Sequence, residues 1–320
     1  MKPDCCSLSI VIPVYRSAGT LPELVDRVNG VLDRLPGPSE VILVNDGSPD
    51  ASWQVIASLA GSRPRLRGLN LMKNYGQHGA LLAGILASRG RLIVTLDDDL
   101  QTPPEEIPRL MDELNKGFDL VYGIREREQH GIFRNACSVG IKWTLSRLLG
   151  VEAARAMTSC RMFRSELRRA FEGRVGPHVF LDALLCWGTS RIGSVVVVHR
   201  RREGGKSGYS IGRLVAHTVG MVISFSHVPL QIAGYIGLVA TLLGVVLLAY
   251  VLGAFLLGGR VVPGFTFLAA TLILFSGVQL FVLGVMGEYL ARMHQRLMGA
   301  PAYVIREEIG TPPDAGDSKS

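Results

Sequence analysis

The chain has 320 residues, 48% of them hydrophobic, and 34 Lys and Arg against 27 Asp and Glu give a formal charge of +7. Such a length buries one sizeable core and leaves material for a second part. The positive balance does not call for nucleic acid, because anionic lipid headgroups and phosphorylated substrates attract the same basic surface. The five cysteines (Cys5, Cys6, Cys137, Cys160 and Cys186) lack paired metal-site spacing and are expected as free thiols in a reducing compartment.

The first hundred residues alternate between two periods. Leu8 to Val14 reads as a short apolar strand, and Thr20-Leu-Pro-Glu-Leu-Val has the start and apolar spacing of a helix. Glu40 to Asp46 reads as a second strand, Ala51 to Leu59 as a helix, Leu66 to Leu71 as a third strand, Gly79 to Ala87 as a helix and Arg91 to Leu96 as a fourth strand. Strands alternating with helices predict an α/β fold with a mostly parallel, doubly wound sheet.

The fourth strand ends in Asp97-Asp98-Asp99. Open α/β sheets bind ligands beyond the carboxyl ends of their strands, so these acids stand where chemistry is expected. Alternation along an extended chain points Asp97 and Asp99 to one side, where they can share a hard cation completed by water and phosphate oxygens. A solvated acidic turn is the bland alternative. The second strand ends at Asp46, in the turn Asn45-Asp46-Gly47-Ser48, at the same sheet edge, so Asp46 can line the same crevice and accept hydrogen bonds from a base or ribose.

Residues 137–149 and 211–225 carry apolar positions at helical spacing, as a membrane-interface helix or a core-facing helix would; for the second, the run into the following apolar stretch favours the interface. Leu230 to Leu257 and Val261 to Gly287 carry no charged residue, and each exceeds the roughly 20 residues that cross a bilayer. Two transmembrane helices joined by a short loop are expected. Arg292, Arg296 and Arg306 follow the second span while only Arg260 lies between the two, which fits both ends facing inward. The polar residues 310–320 read as disordered.

Ile12-Pro-Val-Tyr15, Asp46-Gly-Ser, Asn74-Tyr-Gly-Gln-His78, Leu96-Asp-Asp-Asp-Leu-Gln-Thr-Pro-Pro-Glu105, Arg202 with Ser207-Gly-Tyr209, the two spans and Gly287-Glu-Tyr289 ahead of Pro301-Ala-Tyr303 follow one another over nearly the whole chain. In that order and spacing they resemble the family-2 glycosyltransferases of the GT-A fold, in the membrane branch that loads sugars onto polyprenyl phosphates. The Asn-Tyr-Gly-Gln-His and Leu-Gln-x-Pro-Pro segments look most like undecaprenyl-phosphate aminoarabinose transferases, with dolichyl-phosphate mannose synthases more distant. The resemblance implies a nucleotide pocket from Pro13, Tyr15 and Asp46 with Lys73, Asn74 and Gln77 nearby. It implies Mg2+ or Mn2+ held by Asp97 and Asp99 on the donor diphosphate, with Asp98 facing away and Arg202 and Lys206 near phosphates. It also implies a UDP-sugar donor, a polyprenyl phosphate acceptor, placement in the bacterial inner membrane, and a homotetramer.

The chain departs from that pattern in several places. Arg16-Ser17 stands where the family often has Asn-Glu, Lys73 where it has Arg, and Ser207-Gly208-Tyr209 where it has Ser-Lys-Tyr. An Asp sometimes assigned as base aligns with Thr158. The loss is tolerable because a phosphate monoester, with a second pKa of about 6, is already largely ionised. Asp182 is the candidate substitute, with a helix-surface or capping role as the alternative. His78 fits either a donor contact or a local hydrogen-bond partner, and Glu288 a partner for an interfacial Arg.

The expected organisation is a cytoplasmic GT-A domain over 1–206, an interfacial helix over 207–228, a two-helix transmembrane hairpin over 229–288 (230–257 and 261–287) and a cytoplasmic tail over 289–320. The expected activity is inverting transfer of a sugar from a UDP-sugar to undecaprenyl phosphate. Two rivals remain open: a processive polysaccharide synthase, although its Gln-x-x-Arg-Trp element is absent, and a catalytically silent membrane scaffold or flippase partner. A dinucleotide enzyme is disfavoured, since no Gly-x-Gly-x-x-Gly follows the first strand.

Overall fold

The computed structural model describes residues 6–125, 158–171, 180–199, 228–256 and 264–310, and the chain divides into two units, 1–208 with 299–320 and 209–298. The expected interfacial helix over 207–228, save its last residue, the amphipathic stretch over 137–149, Arg202 and Lys206 lie outside the described residues.

Among the described residues the first unit has eight strands, β1 (Leu8–Val14), β2 (Ser39–Asn45), β3 (Leu66–Leu71), β4 (Leu92–Thr95), β5 (Leu120–Arg125), β6 (Arg161–Arg164), β7 (Ile192–Val197) and β8 (Ile305–Ile309), in the order β7-β5-β6-β4-β1-β2-β3-β8. Parallel pairs join β1 to β2, β1 to β4, β2 to β3 and β5 to β7, while β6 runs antiparallel between β4 and β5. The β1–β4 half is the alternating pattern read from sequence. All seven β1 residues are buried, as a strand covered on both faces requires.

Helices α1 (Leu21–Leu32), α2 (Ser52–Ser62), α3 (Gln77–Ala87), α4 (Ile107–Asn115) and α5 (Leu181–Gly188) cover the sheet. Alternation along the strands divides the core. Ile10, Ile12 and Val14 pack with α1 residues Leu24 and Val28 and with Leu110 of α4, whereas Val11, Ile42 and Val44 pack with Ala80 to Ile85 of α3 and Leu185 of α5.

The expected tail holds a finding that the sequence did not signal. After Gly299 the chain enters the first unit and adds β8 antiparallel to β3. Arg67, with a side chain only 6% exposed, bonds Glu40 at 2.8 Å and Glu308 of β8 at 2.6 Å. Trp53 Nε1 donates to Glu307 at 3.2 Å. Burying that arginine requires both acids, so β8 is fastened by charge as well as by its ladder.

The second unit contains α6 (Val228–Leu256) and α7 (Gly264–Leu297), which pack against one another. Leu230–Gly253 and Leu274–Ala291 are long and apolar enough to cross a membrane, with mean hydropathy 2.5 and 1.5, and neither is buried within the molecule. The two helices make the expected hairpin. The second runs on to Leu297, past the expected end at 287, because Glu288 to Leu297 continues in good helix formers.

Candidate active site

The parallel registers of β1, β2 and β4 bring their carboxyl ends to one edge. There the Asp46 amide donates to Val14 O at 3.0 Å and the Leu96 amide to Val11 O at 3.2 Å, which extends both ladders up to the acids. Asp46 and the Asp97–Asp99 triplet thus follow strands that end at one sheet edge.

Asp46 is buried and its Oδ1 accepts the Tyr75 amide at 2.7 Å. Burial pushes its carboxyl upward, against the Tyr75 and Gly76 amides. Gly47 makes the junction possible. It has φ +60°, and a Cβ there would stand 2.6 Å from Asn74 N and from the Lys73 carbonyl carbon. The 45–48 and 73–76 turns therefore interlock around Asp46.

Each acid of the triplet has its own partners. Asp97 Oδ1 accepts Gln77 Nε2 at 2.8 Å, and Oδ2 accepts the Ser159 hydroxyl. Burial raises its carboxyl above the usual range; the Ser159 bond opposes the rise, and the Asp99 and Asp98 charges add to it. Asp98 turns into the β1–α1 loop, where Oδ2 accepts the Tyr15 amide at 3.0 Å and the Ser17 hydroxyl, and burial raises it against both bonds. Thr20 Oγ1 donates to Asp98 O at 3.0 Å, so this residue at the start of α1 ties the helix to the acidic turn. Asp99 accepts the Gln101 amide at 3.1 Å and Gln101 Nε2 at 2.6 Å.

Two non-glycine residues with positive φ occur among the described residues, Arg16 (58°) and Leu100 (57°). One follows Tyr15 and precedes Ser17, which together hold Asp98; the other lies between Asp99 and Gln101. Backbone strain of this kind persists only where the surroundings impose it, and here it flanks the acids on both sides.

The donor set fits a hard divalent cation. Asp97 and Asp99 repel one another and supply carboxylate oxygens, and Asp98, which faces the loop, does not compete. Among the described residues no three His, Cys, Asp or Glu enclose a metal by themselves. A cation here needs oxygens from water and a bound diphosphate, as expected for an Asp-x-Asp site.

The other expected residues are partly gathered. Tyr15 is exposed beside the acids with the Arg16 guanidinium 5.3 Å from its ring centroid, and Lys73 Nζ lies 5.2 Å from the Tyr75 ring. Asn74 Oδ1 accepts the Gly76 amide at 3.2 Å, and Pro13 is a buried β1 residue opposite Val44. Gln77, expected at the nucleotide, bonds Asp97. His78 packs edge-on against Phe180 at 5.2 Å.

Asp182, the candidate base, lies in a buried ion pair. It is 6% exposed, accepts the Tyr122 hydroxyl at 3.0 Å and pairs with the fully buried Arg161. A carboxylate whose charge balances a buried guanidinium is committed to that pair. Arg161 Nε also donates to Thr95 Oγ1 at 3.1 Å, and Thr95 Oγ1 donates to Ser159 O at 2.6 Å, so the pair braces the residue that bonds Asp97. Thr158 donates to Gly123 O and Cys160 O at 2.8 and 2.9 Å, a main-chain role. The sequence reading missed Ser159, Gln101 and His199. Gln101 was visible in the Leu-Gln-Thr-Pro-Pro run; Ser159 and His199 had no signal beyond nearness to other motifs.

Residues 9–170 match the model of glycosyl transferase family 2. The chain is 34% identical over 95% of its length to undecaprenyl-phosphate 4-deoxy-4-formamido-L-arabinose transferase from Yersinia enterocolitica, covering 94% of that protein. It is 34% identical over 98% of its length to the protein of the same name from Klebsiella pneumoniae, covering 97% of it. The chain belongs to glycosyltransferase family 2. The fold agrees: glucosyl-3-phosphoglycerate synthase from Mycobacterium tuberculosis, solved with Mn2+ and UDP-glucose, aligns at TM-score 0.50 and 19% identity over 68% of this chain and 77% of that one. The family 2 assignment makes the protein a glycosyltransferase.

Proposed function

We propose that this glycosyltransferase moves a sugar from a UDP-sugar to undecaprenyl phosphate at the cytoplasmic face of the bacterial inner membrane. The observation that carries the reading is the meeting of Asp46, Asp97 and Asp99 at one sheet edge, in a chain whose relatives are named for an undecaprenyl-phosphate acceptor. Asp46 and Tyr15 would contact the nucleoside. Asp97 and Asp99 would hold Mg2+ or Mn2+, which supplies charge neutralisation for a departing diphosphate. Arg202 and Lys206 are proposed phosphate contacts, since a guanidinium grips two oxygens at once.

In the reaction an oxygen of the lipid phosphate bonds to the anomeric carbon as the bond from that carbon to the β-phosphate oxygen breaks. The electron pair leaves on UDP, and configuration inverts. The attacking oxygen is already ionised, so no side chain has to remove a proton, which agrees with Thr158 and Asp182 being otherwise engaged. The protein's own work is placement: Gln77 and Ser159 orient Asp97, Gln101 orients Asp99, and Tyr15 and Ser17 keep Asp98 out of the way.

The experiment is transfer from a panel of labelled UDP-sugars to undecaprenyl phosphate in detergent with Mg2+ or Mn2+. Label in the organic phase from one donor supports the reading and names the sugar. UDP-sugar binding without lipid-phase label from any donor would argue against the acceptor.

A further inference from the structure

Each candidate metal carboxylate is held by a glutamine amide, and one of those glutamines is itself held. Asp99 Oδ2 accepts Gln101 Nε2 at 2.6 Å, and Gln101 Oε1 lies 2.7 Å from His199 Nε2. The polarity of this chain of bonds is fixed by chemistry. An ionised carboxylate only accepts, so the nitrogen end of the amide faces Asp99 and the oxygen end faces His199. That oxygen also only accepts, so His199 carries its proton on Nε2. Thr102 Oγ1, 3.5 Å from His199 Nδ1, stands on the other side of the ring.

The three residues come from distant parts of the chain. Asp99 and Gln101 follow β4, whereas His199 follows β7 at the far end of the strand order, past β6 and β5. Without a donor at His199, the Gln101 side chain loses its anchor at the oxygen end, and Asp99 is left held firmly only by the Gln101 main-chain amide at 3.1 Å. We propose that His199 is a positioning residue that acts through Gln101 to orient the Asp99 carboxylate for a divalent cation. The inference rests on the metal role given to Asp99 above.

The test reads Mn2+ binding to the full-length protein in detergent by electron paramagnetic resonance, with no turnover required. His199→Ala and the ring-retaining His199→Phe each lack the donor and are expected to weaken Mn2+ binding about tenfold, as loss of a metal site's supporting partner does. His199→Gln, which restores an N–H donor, recovers most of that loss. The double variant His199→Ala/Gln101→Ala binds no more weakly than Gln101→Ala, because both act along one line. Wild-type affinity in His199→Phe, or additive losses in the double variant, overturns the inference while leaving the metal site standing, provided Asp99→Ala abolishes binding. If Asp99→Ala binds Mn2+ as the wild type does, or the wild type binds none, the metal reading fails and this inference with it.

Discussion

Ser17 donates its hydroxyl to Asp98 Oδ2, the same oxygen that accepts the Tyr15 amide. The family often has a glutamate at this position. The structure gives the serine a job of its own. Ser17→Ala leaves a half-buried carboxylate one donor short and should cost about 1 kcal/mol of stability. Ser17→Glu sets a second carboxylate against Asp98 and should cost more. Thermal unfolding in detergent ranks the three proteins; a Ser17→Glu variant as stable as the wild type would contradict this account of Asp98.

Asp182 and Arg161 make the second test. Removing one partner of a buried ion pair typically costs about 3–5 kcal/mol, so Asp182→Ala should unfold far more readily than the wild type. The pH dependence of transfer by whatever fraction stays folded should be unshifted. A catalytic base at Asp182 gives the opposite pattern, with normal stability and an altered acidic limb of the pH profile.

Gly47 closes the floor under Asp46. Gly47→Ala brings a side chain into a positive-φ position and against the Lys73–Asn74 main chain, so the two turns must separate. UDP binding measured by calorimetry should weaken by about tenfold or more, a figure in line with strain of a few kcal/mol. Unchanged UDP affinity would mean that the pocket does not depend on this junction.

Asp119 supplies a pH test remote from the acids. The Thr189 hydroxyl at 2.7 Å, and then Arg191 at 2.9 and 3.0 Å, hold its carboxyl below the usual range. A depressed folded-state pKa contributes stability above the unfolded value near 3.9, and that stability is lost as pH falls through the lower folded value. Arg191 is 68% exposed, so solvent screening keeps the contribution at roughly 1 kcal/mol or less. The stability gap between wild type and Asp119→Asn should be present at neutral pH and close below about pH 4. A gap that widens with acid would contradict the assignment.

How far the sequence could be read follows from how strands are written. β1 to β4 are apolar runs separated by amphipathic helices, so period alone located them, and their carboxyl ends located Asp46 and Asp97. β6 is four residues bounded by Arg161 and Arg164, and its charged end is balanced by Asp182 of α5 and by Thr95 of β4. β8 reads Ile305-Arg-Glu-Glu-Ile309, polar because it lies at the sheet edge and exchanges charge with Arg67. Neither strand has the pattern of a buried one. The same holds for the site: Asp97 and Asp99 announced themselves, whereas Ser159 and His199 act through pairings that form only when β6 and β7 join the sheet.

The most direct test of the central claim follows sugar transfer to undecaprenyl phosphate against Mn2+ concentration in wild type and Asp99→Asn, with EDTA as the reference. The account predicts saturable activation by metal in the wild type, no transfer in EDTA, and at least about a hundredfold loss in Asp99→Asn that excess metal does not restore. Transfer that persists in EDTA, or an Asp99→Asn enzyme as active as the wild type, would contradict it.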